Sequence, residues 1–252
     1  MSSISRGWDG GAYDRISAPM ERLGVEVLDR LELRGDETVL DAGCGSGRIT
    51  AALIERLPGG RVIGVDGSAS MIEAARERLG DGADLRAADL VALELGETVD
   101  AVLSTATFHW IADHDALFAS LRRVLRPGGL LVAQCGGVGN VAGVHTAAGA
   151  AGATAPFAEH LAGWRGPWHF ATPRDTERRL QAAGFRGARC WLQERPVTPD
   201  EPRDYLRTIV LGAHLERLPA DLADRFLDAV LERLGPEPTI DYVRLNLDAT
   251  AA

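Results

Sequence analysis

Short apolar runs alternate with amphipathic segments along most of the chain. Runs with the length of buried strands lie at residues 38–41, 61–66, 83–87, 99–104 and 129–135. The segments between them carry apolar residues at helical spacing, such as Leu117, Leu121 and Leu125 after the helix-capping residue Asp113. Strands and helices that alternate in this way build a parallel sheet covered by helices on both faces. The pattern predicts an α/β fold.

One segment that departs from this alternation lies in the middle of the chain. Residues 136–157 are rich in Gly and Ala and contain no Lys, Arg, Asp or Glu, which is typical of either a flexible linker or a helix of small residues. Val141, Val144 and Ala148 keep a helical period, and this favours the helix.

A second departure lies nearer the end. Residues 199–234 have the pattern of a pair of helices, which either packs on the edge of the sheet or forms part of a lid. A length of 252 residues, 46% hydrophobic and 25% charged, fits one α/β domain over residues 1–252. Within it, segments 136–172 and 199–235 are candidates for the substrate cover.

A glycine-rich turn follows the first predicted strand. Gly43, Gly45 and Gly47 stand two residues apart between a strand and a helix, and this spacing lets the backbone approach a ligand that a Cβ would exclude. Asp66 ends the next predicted strand, where a carboxylate can accept hydrogen bonds from both hydroxyls of a ribose. The arrangement predicts a nucleotide-binding site.

Two residues beside the turn narrow the choice of nucleotide. A dinucleotide fingerprint needs a third glycine where Arg48 stands, and no Gly-Lys-Ser/Thr follows to hold a triphosphate. Asp41 precedes the turn, where its charge would repel a pyrophosphate but could act on a cationic ligand directly or through a water. The ligand is therefore expected to be positively charged.

These motifs and others in the same order resemble the class I methyltransferases that use S-adenosylmethionine. The motifs are D-A-G-C-G-S-G at residues 41–47, V-D-G-S-A-S-M-I at 65–72, A-A-D-L at 87–90, V-D-A-V-L-S at 99–104, F-H-W-I at 108–111 and R-V-L-R-P-G-G-L-L-V-A at 123–133. The H-W pair and the late A-G-F at 183–185 are similar to a small-molecule branch that includes trans-aconitate methyltransferase and the malonyl-acyl-carrier carboxyl methyltransferase.

The resemblance implies a fold and a cofactor. The expected fold is a doubly wound, Rossmann-like, mostly parallel sheet of seven strands with helical cover segments. Its last strand, at 242–247, would lie antiparallel at the sheet edge. The implied cofactor is S-adenosylmethionine, with S-adenosylhomocysteine as the product.

The resemblance also assigns residues to the adenine end of the cofactor. Asp89 would bind the adenine amino group with Ala88 beside the ring, although a surface turn residue fits the same position of the sequence. Met71 either packs on the adenine face or belongs to the core face of its helix. At the methionine end, Ser104 and Thr105 would line the site just past the fourth strand. Tyr13 would close over that end or simply pack.

The chemistry of the donor sets what the chain must supply. Methyl transfer from a sulfonium chiefly requires that donor, methyl group and acceptor lie in line. A carboxylate acceptor is already ionised at pH 7 and needs no general base, whereas a phenol, alcohol or amine does. His109, just beyond the fourth strand, is the candidate base, with an orienting donor or a packing residue as the alternatives. O-methylation of a carboxylate is expected, and N-, C- or phenol O-methylation is the alternative.

Several residues near loops are candidates for the acceptor pocket. Trp110 follows His109, and Trp164 and Trp168 lie in a Gly- and Pro-containing stretch in which substrate walls are common. Arg165 could hold an acceptor carboxylate through two hydrogen bonds or lie exposed.

Charge and cysteine content indicate which partners and which cellular location to expect. With a net charge of -9 the chain lacks the basic patch that nucleic-acid partners require, so a small-molecule acceptor is expected. No 18-residue apolar span and no C-x-x-C pair are present, and a cytoplasmic protein outside the membrane is expected. No metal is expected, and the oligomeric state is left open. A nicotinamide-dependent oxidoreductase and a non-catalytic cofactor-binding protein are the competing classes.

Overall fold

A computed structural model describes the backbone of residues 18–252 and the side chains from residue 22 onward. The described helices are α1 (Ala18–Leu28), α2 (Arg48–Glu55), α3 (Ala69–Leu79), α4 (His114–Val124), α5 (Ala142–Gly152), α6 (Ala158–Leu161), α7 (Pro173–Ala182), α8 (Pro202–Tyr205), α9 (Gly212–Leu215) and α10 (Ala220–Leu234). The strands are β1 (Thr38–Ala42), β2 (Arg61–Asp66), β3 (Asp84–Ala87), β4 (Val99–Thr105), β5 (Leu125–Gly136), β6 (Phe185–Glu194) and β7 (Val243–Ala251). Short 3₁₀ turns span Leu90–Ala92 and Phe108–Trp110, and a π-helical turn spans Leu206–Val210.

The described strands form one seven-stranded sheet in the order β3-β2-β1-β4-β5-β7-β6. Strands β1 to β5 are parallel, and β7 runs antiparallel between β5 and β6. The chain passes from β1 to one side for β2 and β3, then returns to the other side for β4. The carboxyl ends of β1 and β4 therefore flank a topological switch point, where ligands bind in open α/β sheets. The predicted fold class is confirmed.

The position of the last strand differs from the prediction. We expected it at the sheet edge, but β7 lies inside the sheet and β6 forms the edge. Leu245 and Leu247 are buried on one face of β7, and Arg244 and Asn246 are buried on the other. A strand covered on both faces suits an interior position, whereas β6 exposes Arg186 and Arg189, and edge strands tolerate exposed charges.

The two faces of the sheet are covered by different helices. In β1, Val39 packs in a cluster with Val27 and Leu53 of α1 and α2, whereas its neighbour Leu40 packs in a cluster with Phe118 of α4. Adjacent residues of a strand point to opposite faces, so this division is that of a doubly wound sheet.

A third apolar cluster lies apart from both faces. It joins Val144 and Ala148 of α5 to Phe226 and Val230 of α10, together with Tyr205 of α8. The helix predicted within residues 136–157 is thus confirmed as α5. No helix in the part of the chain that the structure describes is both long and apolar enough to cross a membrane.

Candidate cofactor and acceptor site

A cavity of about 550 Å³ follows the carboxyl edge of the sheet. Its walls run from Ala88 and Asp89 after β3 to Tyr242 and Arg244 at β7. This volume lies in the range of small-molecule and cofactor sites. The predicted site residues that line it are Gly43, Gly45, Asp66, Met71, Ala88, Asp89, Thr105, His109, Trp110, Trp164 and Trp168.

Asp66, at the end of β2, is held by two backbone donors. The N–H of Gly45 donates to Oδ2 at 3.0 Å, and the N–H of Ser68 donates to Oδ1 at 2.8 Å. Burial raises the pKa of Asp66 above its ordinary value, although both hydrogen bonds favour the charged form. The carboxylate is therefore oriented at the cavity wall, and each oxygen keeps a second lone pair for a ligand.

The three glycines of the turn have different surroundings. A Cβ on Gly43 would collide with the side chain of Thr107, whereas a Cβ on Gly45 would meet nothing within 4 Å. Gly47 does not line the cavity, because its Cβ position lies 2.8 Å from Cδ1 of Leu79 on α3. Gly43 and Gly45 form cavity wall, and Gly47 permits close packing of two helices.

Two residues predicted to bind the cofactor lie behind the cavity wall. Asp41 is fully buried, and its Oδ2 accepts a hydrogen bond from Thr50 Oγ1 at 2.7 Å. Ser104 is also buried, and its hydroxyl donates to the carbonyl of Ala42 at 2.6 Å, which ties β4 to β1. Neither residue lines the cavity, so the structure does not bring these two predicted side chains to it. Burial raises the pKa of Asp41 to about 6.

Asp89 and Met71 each have a structural role and also line the cavity. Asp89 caps a 3₁₀ turn, with Oδ1 accepting from the N–H of Val91 at 3.1 Å, and it also lines the cavity. Met71 belongs to the buried face of α3 and also lines the cavity. The structural and ligand-facing interpretations are therefore compatible at these positions.

The segment after β4 contributes residues that the sequence analysis missed. The hydroxyl of Thr107 lies within hydrogen-bond distance of two carbonyl oxygens, that of Gly43 at 3.2 Å and that of Thr105 at 2.9 Å. It thereby joins the glycine turn to β4. Ala106 lines the cavity with a φ of 54°, a left-handed conformation that is uncommon for a residue with a Cβ. The polar residues that follow β4 in the sequence were the signal that could have indicated these positions.

His109 is buried against the end of β5. Its Nδ1 lies 3.2 Å from the backbone nitrogen of Gly136, which donates to it. Because Nδ1 is the acceptor, the neutral ring carries its proton on Nε2. Burial, with the positive charge of Arg244 as the next cause, holds the pKa of His109 well below its ordinary value. The ring is thus a neutral donor.

The acceptor candidates divide into those at the cavity and one outside it. Trp110, Trp164 and Trp168 line the cavity, and the rings of Trp110 and Trp168 have centroids 6.0 Å apart. Arg165 is exposed and does not line the cavity, so the structure does not bring this predicted residue to the site. Tyr13, predicted at the methionine end, lies outside the described residues.

Arg244 and its neighbours are the main residues that sequence reasoning missed. Arg244 lies at the start of β7, is 3% exposed, and donates from Nε to Oε1 of Gln134 at 3.2 Å. Tyr242 lies beside it on the cavity wall, and its hydroxyl accepts from the hydroxyl of Tyr205 at 2.9 Å. Asn140 completes this end, with Oδ1 accepting from the N–H of Val243 at 3.0 Å. These residues come from the antiparallel strand and the loop beside it.

The His and Asp side chains at the start of α4 have contacts within the protein. His114 Nε2 lies 2.9 Å from the carbonyl of Phe108, and Asp113 accepts from the N–H of Ala116 as the N-cap of α4. Among the residues that the structure describes, no three His, Cys, Asp or Glu side chains are gathered as metal ligands.

Comparison with known proteins identifies the family. The family described as "Methyltransferase domain" matches residues 40–133. An uncharacterized methyltransferase of Schizosaccharomyces pombe, C70.08c, is 34% identical over 189 residues, which cover 71% of this chain and 70% of the relative. The chain belongs to the S-adenosylmethionine-dependent methyltransferases. The predicted family, enzyme class and cofactor are thereby confirmed.

Relatives with a named reaction match less of this methyltransferase. A trans-aconitate 2-methyltransferase of Azoarcus sp. is 40% identical over 127 residues, 50% of either chain. The chain thus spans about half the length of the curated relatives of this name that it matches.

A solved methyltransferase structure shares the fold. A phosphoethanolamine N-methyltransferase 2 of Haemonchus contortus, in complex with S-adenosyl-L-methionine, is 19% identical and superposes with a TM-score of 0.63 over 96% of this chain and 56% of its own. At this identity the similarity concerns the fold alone.

Proposed function

We propose that this chain transfers the methyl group of S-adenosylmethionine to a carboxylate oxygen of a small molecule. The observation that carries the proposal is the buried guanidinium of Arg244, which lies on the same cavity as the glycine turn and Asp66. The relatives named trans-aconitate 2-methyltransferase act, by their name, on a carboxylic acid, which is consistent with this choice.

The cofactor half of the cavity follows the sheet order. In this proposal Asp66 binds the ribose, Met71 and Ala88 flank the adenine, and Asp89 binds its amino group. Gly43 and Gly45 leave room for the methionine part, and Thr105 lies beside it. Asp41 acts from behind the turn through its charge, because it has no surface on the cavity.

The acceptor half lies on the other side of β4. Neighbouring strands are about 4.8 Å apart, and β7 stands three strands beyond β1, so Arg244 is about 14 Å from the glycine turn along the edge. Its charge lies beyond the sulfonium end of the proposed cofactor position. An acceptor bound there would reach back toward β4, with its carboxylate between Arg244 and the methyl donor.

The proposed reaction needs no proton transfer. When bound, S-adenosylmethionine supplies a sulfonium methyl that an acceptor oxygen takes as the carbon–sulfur bond breaks and its electron pair stays on sulfur. Arg244 and the Nε2–H of His109 hold the carboxylate, while Trp110 and Trp168 exclude water. Opposite charges cancel in this step, so a dry site favours it.

Segments 136–172 and 199–235 supply the cover in this proposal. Val141 and Trp168 from the first and Ile209 and Arg217 from the second all line the cavity. This supports a substrate-covering role for both segments within one domain.

The alternatives of N-, C- and phenol O-methylation need a base, and His109 is poorly suited to that role. Its Nδ1 lone pair is already used by Gly136, so the ring presents a donor. A nicotinamide-dependent oxidoreductase is disfavoured by Arg48 in place of the third fingerprint glycine and by the family. Nucleic-acid acceptors remain disfavoured by the net charge of -9.

The test is a methyl-transfer assay with carboxylic acids, phenols and amines, preceded by calorimetry with S-adenosylhomocysteine and NADH. We expect S-adenosylhomocysteine to bind, and carboxylic acids to be methylated. Arg244→Gln should raise the acceptor KM by at least about 30-fold and leave S-adenosylhomocysteine affinity within about threefold.

Arg30→Gln is the matched control for that variant. Arg30 donates to Asn246 and to the carbonyl of Ala133 in the same β5–β7 region, but it does not line the cavity. We expect a loss of stability without a change in acceptor KM. Methylation of phenols or amines but not acids would reject the carboxylate proposal, and binding without any transfer would indicate a non-catalytic protein.

A further inference from the structure

Three tryptophan rings form much of the acceptor half of the cavity. Trp110, Trp164 and Trp168 are each partly exposed, and all three line the cavity. Each of the three indoles therefore contributes aromatic surface to the cavity wall.

Trp164 and Trp168 are held in place by contacts with neighbouring side chains. Trp168 stacks on Phe170 with centroids 5.6 Å apart and an interplanar angle of 14°. Trp164 packs edge-on against His214 at 4.8 Å, and the guanidinium of Arg217 lies over its ring at 4.7 Å. Because these partners restrict the rings before any ligand binds, little side-chain entropy is lost on binding.

The charges of the acceptor half suit one carboxylate better than several. Arg244, Arg217 and Glu216 all line this half of the cavity, so two positive charges and one negative charge face the acceptor. A second or third carboxylate would therefore add uncompensated negative charge beside the indole faces. Aromatic walls instead favour a flat apolar body, through offset stacking or edge-to-face contact.

We propose that the acceptor is an aromatic monocarboxylic acid, with its ring against Trp110 and Trp168 and its carboxylate on Arg244. This inference rests on the proposed function and specifies its substrate class. It separates this chain from an enzyme for aliphatic tricarboxylates such as trans-aconitate.

The experiment compares initial rates of wild-type protein with trans-cinnamate, 3-cyclohexylpropanoate and trans-aconitate. The first two acids are similar in size and charge, and only cinnamate has an aromatic ring. We expect kcat/KM for cinnamate to exceed both others by at least about tenfold. Higher kcat/KM for trans-aconitate, or no preference over the cyclohexyl acid, overturns the inference.

A variant tests the ring contact separately. Trp168→Leu should raise the KM for cinnamate about tenfold with little change in kcat, and so remove the preference over the cyclohexyl acid. Trp191→Leu is the control, because Trp191 lies on β6 against Arg189 and does not line the cavity. Equal effects of the two substitutions would overturn the inference. Calorimetry with S-adenosylhomocysteine checks that both variants fold.

The outcomes distinguish a failure of this inference from a failure of the proposed function on which it rests. Methylation of trans-aconitate in preference to cinnamate rejects the aromatic acceptor and keeps the carboxylate chemistry. Wild-type protein that binds S-adenosylhomocysteine but methylates none of the acids rejects the proposed function, and this inference with it.

Discussion

The backbone N–H of Gly136 donates a hydrogen bond to Nδ1 of His109, and the two nitrogen atoms are 3.2 Å apart. This contact joins the end of β5 to the 3₁₀ turn after β4, on the wall of the cavity. It determines which ring nitrogen carries the proton, and the lone pair that a general base would need points into backbone.

His109→Ala should therefore lower kcat/KM for a carboxylate acceptor by less than about tenfold, because only an orienting donor is lost. In the wild type, kcat/KM should not rise between pH 6 and pH 8.5 through titration of this ring. Its pKa lies well below the ordinary value, so the ring is neutral throughout that range. Initial rates of the wild type and of His109→Ala across this pH range measure the loss in kcat/KM and its pH dependence.

The control for this prediction is His145→Ala, which removes a histidine that packs on Trp168 from outside the lining. A loss near a thousandfold in His109→Ala, with a pH-dependent rise that disappears in the variant, would show base catalysis instead.

Gly45→Ala should weaken the binding of S-adenosylhomocysteine, whereas Gly47→Ala should destabilise the fold. Both residues have positive φ, 53° and 81°, so each alanine adds backbone strain. The added Cβ of Gly45 points into open space on the cavity side, and we expect S-adenosylhomocysteine affinity to fall at least about tenfold. The added Cβ of Gly47 meets Leu79, so we expect a loss of roughly 2 to 4 kcal/mol of unfolding free energy.

Calorimetry and urea denaturation measure the two quantities. Gly80→Ala isolates the strain, because Gly80 has a φ of 54°, has nothing within 4 Å of its Cβ position and does not line the cavity. If Gly45→Ala binds S-adenosylhomocysteine as tightly as Gly80→Ala does, the turn does not contact the cofactor.

Asp41→Asn should make the protein more stable at neutral pH. The pKa of Asp41 is about 6 in the folded chain and about 3.9 in an unfolded one. The folded state therefore binds more protons between these values, and stability falls as pH rises from about 4 through 6. Relative to Asp41→Asn, the wild type should lose roughly 1 kcal/mol of unfolding free energy between pH 5 and pH 7.5.

Urea denaturation at the two pH values, for wild type and variant, gives this difference directly. Asp84→Asn serves as comparison, since its hydrogen bond with Arg86 lowers the pKa of Asp84 and moves its pH dependence to more acidic conditions. Parallel stability profiles for wild type and Asp41→Asn would show that Asp41 titrates normally.

Features of the site that depend on neighbours in sequence were predictable. The glycine turn, Asp66 and the N-caps Asp113 and Thr172 belong to short strand–turn–helix units, whose residue preferences reflect local hydrogen bonds. The strands agree to within a few residues, except that β5 begins at Leu125. There, Leu125 pairs with Val99 before the register shifts.

Features that depend on which strands pair were not predictable. Ser104 and Asp41 follow the same strand pattern as cavity residues, but their side chains bond to Ala42 and Thr50 behind the wall. Arg165 lies close to Trp164 in sequence, but it is exposed.

By itself, the sequence determined the α/β class, the nucleotide turn and the methyltransferase family, because each is encoded in contiguous residues with local physical requirements. Only the tertiary structure decided that Arg244 lines the same cavity as the glycine turn. Inserting β7 antiparallel between β5 and β6 brings the start of that strand to the carboxyl edge of the parallel strands. Strand order is a property of long-range pairing, and the residues of β7 carry no local signal for the partners they will have.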